Sequence, residues 1–124
     1  MEPDPRAYGR LAEDAAEQYL RRRGYQILGR NVRFNGGELD LIARQGEIVV
    51  FVEVKARRTS AFGETAYAVT DIKARRIAKL ASQYLAQRGL TDRWCRFDVI
   101  LCEGDGSRSF HIQHLEGAFE AHED

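Results

Sequence analysis

The sequence comprises 124 residues, of which 44% are hydrophobic and 31% charged, and its formal net charge is zero. This length suits one domain with one core, which we expect to span residues 1–124, and the composition excludes a disordered chain. No apolar run approaches the roughly 20 residues that a membrane helix requires, so no membrane partner is expected.

The beginning of the chain predicts a helix over residues 5–24, where apolar side chains recur with the 3.6-residue period and Gly24 follows as a stop. The apolar stripe consists of Leu11, Ala12, Ala15, Ala16, Tyr19 and Leu20. Residues 25–34 predict a strand with a kink near Gly29, and residues 35–37 predict a turn.

The next segment predicts a hairpin. Residues 38–44 and 47–56 form its strands, with Gln45 and Gly46 as a two-residue turn. Residues 59–69 predict a loop, after which the chain becomes helical again.

The second half of the chain predicts a helix over residues 71–88, capped by Thr70 and ended by Gly89. Its expected buried side chains are Ile72, Ile77, Leu80, Ala81, Tyr84 and Leu85. Residues 94–103 predict a strand, and "SFHIQHL" predicts its return strand after a turn at Asp105–Gly106. A short helix holding Phe119 is expected in the last ten residues.

The resulting order, α-β-β-β-α-β-β, predicts an α/β sandwich in which helices flank a mixed sheet of about five strands. The second helix connects strand 47–56 to strand 94–103 and therefore permits those two strands to run parallel.

The predicted turn gathers four ionisable residues. With Gln45 and Gly46 as the loop, Asp40 falls opposite Phe51, and opposed residues share a face of the sheet. The residues on that face are Glu38, Asp40, Glu53 and Lys55. Asp40 and Glu53 would then be diagonal neighbours, whereas a slip of one residue would move Asp40 to the opposite face.

Carboxylates at this spacing repel one another. Protonation, the neighbouring Lys55 or a bound divalent metal such as Mg²⁺ or Mn²⁺ would relieve the repulsion. The alternative is an exposed sheet end with a Glu53–Lys55 surface pair. Spacing alone leaves both interpretations open.

The cysteines and the N-terminus indicate the compartment. Cys95 and Cys102 lie seven residues apart in one predicted strand, beyond disulfide reach. The first residues, "MEPDPRAYGR", lack the apolar core of a signal peptide. We therefore expect two reduced core cysteines in a cytoplasmic protein.

At "ELD" and "VEVK" the sequence resembles the PD-(D/E)xK nuclease superfamily, whose pattern is an acid on one strand and (D/E)-x-K on the next. Over nearly its whole length, including "GGELDLIA", "VVFVEVKARR", "AVTDIKARRIAKLASQYL" and "RFDVI", the chain resembles the YraN-type family of uncharacterised bacterial proteins. The resemblance implies a three-layer, restriction-endonuclease-like fold, similar more distantly to that of archaeal Holliday-junction resolvases.

The resemblance implies a metal-dependent nuclease in which Asp40 and Glu53 bind Mg²⁺ or Mn²⁺. Lys55 would position or polarise the attacking water. Glu13 matches the first-helix acid that completes such sites, which makes it a third candidate metal ligand, although its place at the edge of the apolar stripe equally suits an ordinary boundary residue. Glu38 is outside the pattern, and we interpret it as a turn-flanking acid.

Basic residues near this site are candidates for DNA phosphate contacts, with solvated faces as the alternative. The candidates are Arg57, Arg58, Lys73 and Arg76. Arg75 and Lys79 lie further round the polar face and are expected to be solvated. The sequence contains no aromatic-rich stripe that would predict base stacking. Branched or single-stranded DNA would therefore be recognised through its shape and backbone.

Other polar residues in the second half of the chain are expected to have structural roles. Arg96 and Asp98 lie two residues apart and are expected to pair, and His111, His114 and His122 are expected at the surface or on an edge strand. The functional alternatives to a nuclease are a catalytically silent nucleic-acid-binding or protein-interaction module and a purely structural partner protein. A homodimer is expected by analogy with junction-cutting enzymes.

Overall fold

The computed structural model describes residues 4–58 and 69–120. These residues form two helices and five strands in the predicted order. The elements are α1 (Pro5–Arg22), β1 (Gln26–Phe34), β2 (Gly37–Gln45), β3 (Ile48–Arg58), α2 (Asp71–Arg88), β4 (Trp94–Gly104) and β5 (Phe110–Leu115). The loop predicted over residues 59–69 lies, except for Val69, outside the described residues.

The five strands form one mixed open sheet in the order β1-β2-β3-β4-β5. Only β3 and β4 pair in parallel among these strands, and the other three pairs are antiparallel. One core cluster lies between α1 and the sheet, and a second lies between α2 and the opposite face. The predicted α/β sandwich with a mixed sheet is confirmed.

Helix α1 buries a narrow stripe of small side chains. Asp4 caps its N-terminus by accepting the backbone N–H of Arg6 at 3.0 Å. Ala12, Ala16 and Leu20, four residues apart, are completely buried. Because two of the three are alanines, the helix axis approaches the sheet closely.

Helix α2 begins and ends as predicted. The Thr70 side chain accepts the backbone N–H of Lys73 at 3.2 Å, and Gly89 ends the helix with a left-handed φ of 66°. The predicted core residues Ile77, Leu80, Ala81, Tyr84 and Leu85 are buried. The prediction for Ile72 was wrong, because it lies five residues before Ile77, about 140° round the helix, and is 76% exposed.

The β2–β3 turn differs from the prediction by two residues in register. Gln45 pairs with Ile48, so Gly46 and Glu47 are the loop residues. Gly46 has a φ of 59°, which the first central position of a type I′ or II′ turn requires. A shift of two residues preserves the face of every side chain, so alternation along the strands could not reveal it.

The irregularity predicted near Gly29 is present. The pairing of β1 with β2 shifts between Ile27 and Gly29. A Cβ atom on Gly29 would lie 2.9 Å from a methyl carbon of Val32, so a larger residue would force a side chain to move.

Two further expectations were wrong. Residues 116–120 are not helical, although Phe119 does pack against Phe97 and the core under α2. Cys102 is buried and reduced as expected, but Cys95 is exposed because the buried part of β4 begins only at Asp98. Neither of the two helices described here is long and apolar enough to cross a membrane.

Candidate functional site

Asp40 lies where the regular pairing of β2 with β3 stops, at Leu41 and Val52. Leu41 packs under α1, whereas Leu39 packs under α2. Side chains two residues apart normally share a face, so the alternation breaks at Asp40. Asn31, between the β1 residues that pair with Leu41 and Leu39, has a left-handed φ of 53° and marks the same irregularity.

The break turns the Asp40 carboxylate towards β3. Its Oδ2 accepts the backbone N–H of Val54 at 2.9 Å. Burial, and next the negative charge of Glu53, raise the pKa of Asp40 to about 7, although the Val54 N–H and the Lys73 ammonium oppose the rise. Asp40 and Glu53 therefore interact electrostatically. The strand register differs from the predicted one, in which the two residues were diagonal neighbours.

Glu53 is the buried acid of β3, with 8% of its surface exposed. Lys73 Nζ, from the first turn of α2, lies 2.9 Å from Glu53 Oε1. Lys73 was predicted to contact phosphate. In this structure its ammonium balances the charge of Glu53 and ties α2 to the sheet.

Glu13 approaches the same region from α1. Its Oε1 accepts Asn31 Nδ2 at 3.3 Å and lies 3.6 Å from Arg30 Nη2. Its charge contributes to the raised pKa of Asp40. Glu13 is thus near the carboxylates but engaged with β1.

The basic residues at the end of β3 separate onto different faces. Lys55 is exposed, and alternation places it on the face of Glu53 and Arg57. The guanidinium of Arg58 lies 5.9 Å from the centre of the Tyr8 ring, on the α1 side. Arg57 contributes its carbonyl to Tyr8, which donates its hydroxyl at 3.2 Å.

Arg76 lies on α2 beside the β1–β2 turn. A Cβ atom on Gly37 would lie 3.6 Å from its Cδ. Arg75 and Lys79 line the same groove as Arg76, and both are exposed, as expected for solvated residues of the polar face. Glu38 pairs instead with Arg33, at 2.8 Å.

Residues 12–102 match the uncharacterised protein family UPF0102. The chain belongs to this family. It is 46% identical over 116 residues to a UPF0102 protein of Symbiobacterium thermophilum, an alignment that covers 94% of this chain and 98% of that protein. It is 50% identical over 111 residues to one of Hahella chejuensis, with 90% and 88% covered. The resemblance to an uncharacterised bacterial family is confirmed.

The acids of this UPF0102 member offer carboxylate oxygens, which are the ligands that a hard cation prefers, but few of them lie together. Within residues 4–58 and 69–120, no group of three or more His, Cys, Asp or Glu side chains is arranged to hold a metal. Mg²⁺ commonly uses one or two carboxylates, with water and substrate phosphate completing its coordination. Asp40 and Glu53 fit that requirement, because a divalent ion would relieve their repulsion.

A second polar cluster of the UPF0102 fold was only partly predicted. Asp98 is completely buried and accepts two hydrogen bonds from Arg96, both at 2.9 Å, which confirms their expected pairing. It also accepts the Gly117 N–H at 3.0 Å and contacts His114 Nε2 at 2.8 Å. His114 lies on edge strand β5 as expected, but its side chain is only 5% exposed.

Every oxygen of Asp98 is thus engaged by the protein itself. The burial of Asp98 raises its pKa, but its donors Arg96, His114 and Gly117 outweigh burial and lower the pKa below the ordinary value. The cluster joins β4, β5 and the following turn. We assign it a structural role, because both carboxylate oxygens of Asp98 are bonded within the cluster and, among the described residues, no buried side-chain nitrogen or oxygen atom lacks a hydrogen-bond partner.

Proposed function

We propose that this protein is a metal-dependent nuclease that hydrolyses phosphodiester bonds in DNA, with branched and single-stranded DNA as the substrates to test first. The supporting observation is that the charge of Glu53 helps to raise the pKa of Asp40 at the point where the regular pairing of β2 with β3 stops. Lys55 follows Glu53 by two residues and is exposed to an approaching substrate.

Asp40 and Glu53 would hold Mg²⁺ or Mn²⁺, and Glu13 would act through its charge on Asp40. The bound ion would polarise a phosphoryl oxygen and lower the pKa of a water ligand. Lys55 would neutralise phosphate charge and orient the attacking water. The fixed charges of the site would supply most of the rate gain, since the reaction needs no covalent intermediate.

Asp40 also sets a condition on this activity. With a pKa near 7 it is partly protonated at neutral pH, and only the ionised carboxylate is a good metal ligand. Asp40 would release this proton to solvent in order to hold the ion. The pair Glu53–Lys73 would loosen at the same time, releasing the Lys73 ammonium towards the phosphate.

A catalytically silent module on the same fold is the second candidate. The observation favouring it is the 2.9 Å contact between Lys73 and Glu53, which already compensates the buried charge without a metal. Such a module would bind nucleic acid or a protein partner and would retain Asp40 for its bond to Val54.

The deciding experiment measures cleavage of labelled junction, flap, single-stranded and duplex DNA with Mg²⁺ or Mn²⁺. The wild-type protein is compared with Lys55→Ala and with Glu38→Gln, whose acid lies outside the site and pairs with Arg33. A nuclease loses at least roughly 100-fold in rate with Lys55→Ala and keeps its rate with Glu38→Gln. Cleavage that persists in Lys55→Ala identifies a contaminant, and cleavage by none of the proteins favours the silent module.

A further inference from the structure

A groove of about 760 Å³ runs between α2 and the β1–β2 turn. One wall is the α2 surface carrying Arg75, Arg76 and Lys79, and the other includes Asn35 and Gly36 of the turn. All five residues are exposed. Among the described residues that line the groove, none is acidic, so three positive charges concentrate there in a chain of zero net charge.

Within the part of the chain that the structure describes, these cations differ from several others because they pair with no carboxylate. Arg21, Arg30 and Arg33 each form an ion pair. No ion pair within residues 4–58 and 69–120 involves Arg75, Arg76 or Lys79. An external anion could therefore contact them without displacing an internal partner.

The cations also lead to the candidate site. Lys73, Arg76 and Lys79 follow one another at three-residue spacing, so they lie along one side of α2. They span about 9 Å of helix axis, whereas one strand of a duplex carries a phosphate about every 3.4 Å. Two or three successive phosphates would match this row, and Lys73 at its end contacts Glu53.

The β1–β2 turn is built to stay close to this row. Gly37 has a φ of 153°, and a Cβ atom there would lie 3.1 Å from Leu80 Cδ1. Glycine at this position lets the turn lie against α2 and keeps Asn35 beside the cations. The groove therefore has one charged wall and one wall that presents an amide side chain.

Building on the nuclease activity proposed above, we propose that this groove binds the sugar–phosphate backbone of the DNA strand that enters the site. Arg75, Arg76 and Lys79 contact successive phosphates, and the strand continues past Lys73 towards Asp40 and Glu53. Phosphate contacts of this kind set position and affinity without reading sequence.

The test measures binding of a labelled forked duplex by fluorescence anisotropy in EDTA, so that binding is separated from turnover. The variant Arg75→Gln/Arg76→Gln/Lys79→Gln is compared with Arg22→Gln/Arg44→Gln/Arg88→Gln. The control removes three exposed arginines at the opposite end, since Arg22 and Arg88 are the last helical residues and Arg44 lies near the β2–β3 turn. Thermal melts verify that both variants are folded.

We expect the groove variant to bind the forked duplex roughly 10- to 100-fold more weakly than the wild type. The slope of log K against log salt concentration should decrease by the equivalent of about two to three phosphate contacts. The affinity of the control variant should stay within roughly threefold of the wild-type value. Equal losses of DNA affinity in the two variants would overturn the proposed role of the groove. The absence of DNA binding by the wild-type protein would also overturn it. Groove-dependent binding to vesicles of anionic lipid equal to that for DNA would also overturn it.

The two proposals fail separately. If wild-type protein binds the fork through the groove but cleaves none of the DNAs, the groove stands and the nuclease function does not. If the groove variant cleaves with unchanged kcat/KM, the nuclease function stands and the groove is overturned.

Discussion

The Asp40 carboxylate accepts the backbone N–H of Val54 at 2.9 Å, at the point where β2 and β3 cease to pair. A side chain thus satisfies a strand donor that a neighbouring carbonyl would otherwise satisfy. The same contact holds a partly buried acid close enough to Glu53 for the two charges to interact. Backbone structure and site electrostatics are therefore linked through one residue.

The first prediction concerns the effect of Asp40 on stability. The folded protein retains this proton up to about pH 7, whereas the unfolded chain releases it near about pH 4. At Asp40 the folded state binds more protons between these values, so the contribution of this residue to wild-type stability falls as pH rises from about 4 to 7. We expect Asp40→Asn, which keeps an acceptor for Val54, to remove this fall and to exceed wild type by roughly 2–4 kcal/mol at pH 8.

Urea unfolding at pH 5 and pH 8 measures this difference. Glu38→Gln is the control, because Glu38 lies outside the Asp40–Glu53 pair. The free energy of unfolding of this variant should change with pH as it does in the wild type. An Asp40→Asn protein whose stability falls between these pH values as steeply as wild type would contradict the prediction.

The second prediction concerns metal binding. Because Mg²⁺ or Mn²⁺ requires ionised Asp40, its affinity should rise through pH 7. At a 100-fold excess over Kd, we expect the Tm of the wild type to increase by roughly 5–10 °C at pH 8 and much less at pH 6. Asp40→Asn and Glu53→Gln should abolish the increase, and Glu38→Gln should preserve it. Equal increases in all four proteins would place the ion elsewhere.

The third prediction concerns the contact between Lys73 and Glu53. Lys73→Met leaves the buried Glu53 carboxylate without this cation, so we expect a loss of about 1–3 kcal/mol in the free energy of unfolding. The double variant Lys73→Met/Glu53→Gln should recover much of that loss. Lys55→Met, at an exposed position, should cost under about 0.5 kcal/mol. Additive effects in the double-mutant cycle would show that the two side chains do not interact.

The fourth prediction concerns Asp98, whose donors hold its pKa below the ordinary value despite burial. A lowered pKa gives stability that is present above the unfolded value and is lost as pH falls below about 4. Asp98→Asn should cost about 2–4 kcal/mol at pH 7 and should flatten the acid limb of the stability curve. Circular dichroism during acid titration measures this limb, with the exposed Asp92→Asn as the control. An unchanged acid limb in Asp98→Asn would contradict the assigned role.

Much of the fold follows from local patterns. The apolar stripe of α1, the Thr70 and Gly89 caps of α2 and the strand segments depend on residues near one another in sequence. The predictions that were wrong also depended on local patterns. Ile72 was assigned to the core for its apolarity, although its angular position on the helix places it in solvent.

The site was predicted less completely, because its contacts join distant elements. The hairpin register could not be fixed, since the turns Gln45–Gly46 and Gly46–Glu47 both contain the glycine that the bend requires. The contact of Lys73 with Glu53 and that of His114 with Asp98 connect residues 20 and 16 positions apart. No periodicity encodes either contact.

The sequence by itself determined the element types, the mixed α/β architecture and the residues most worth testing, because apolar periodicity and turn chemistry act within a few residues. Only the tertiary structure decided that Asp40 turns out of the sheet alternation to bond Val54, that Lys73 balances Glu53, and that three cations of α2 line one groove. Those outcomes depend on how helices and strands pack against one another, and packing sets the distances over which charges interact.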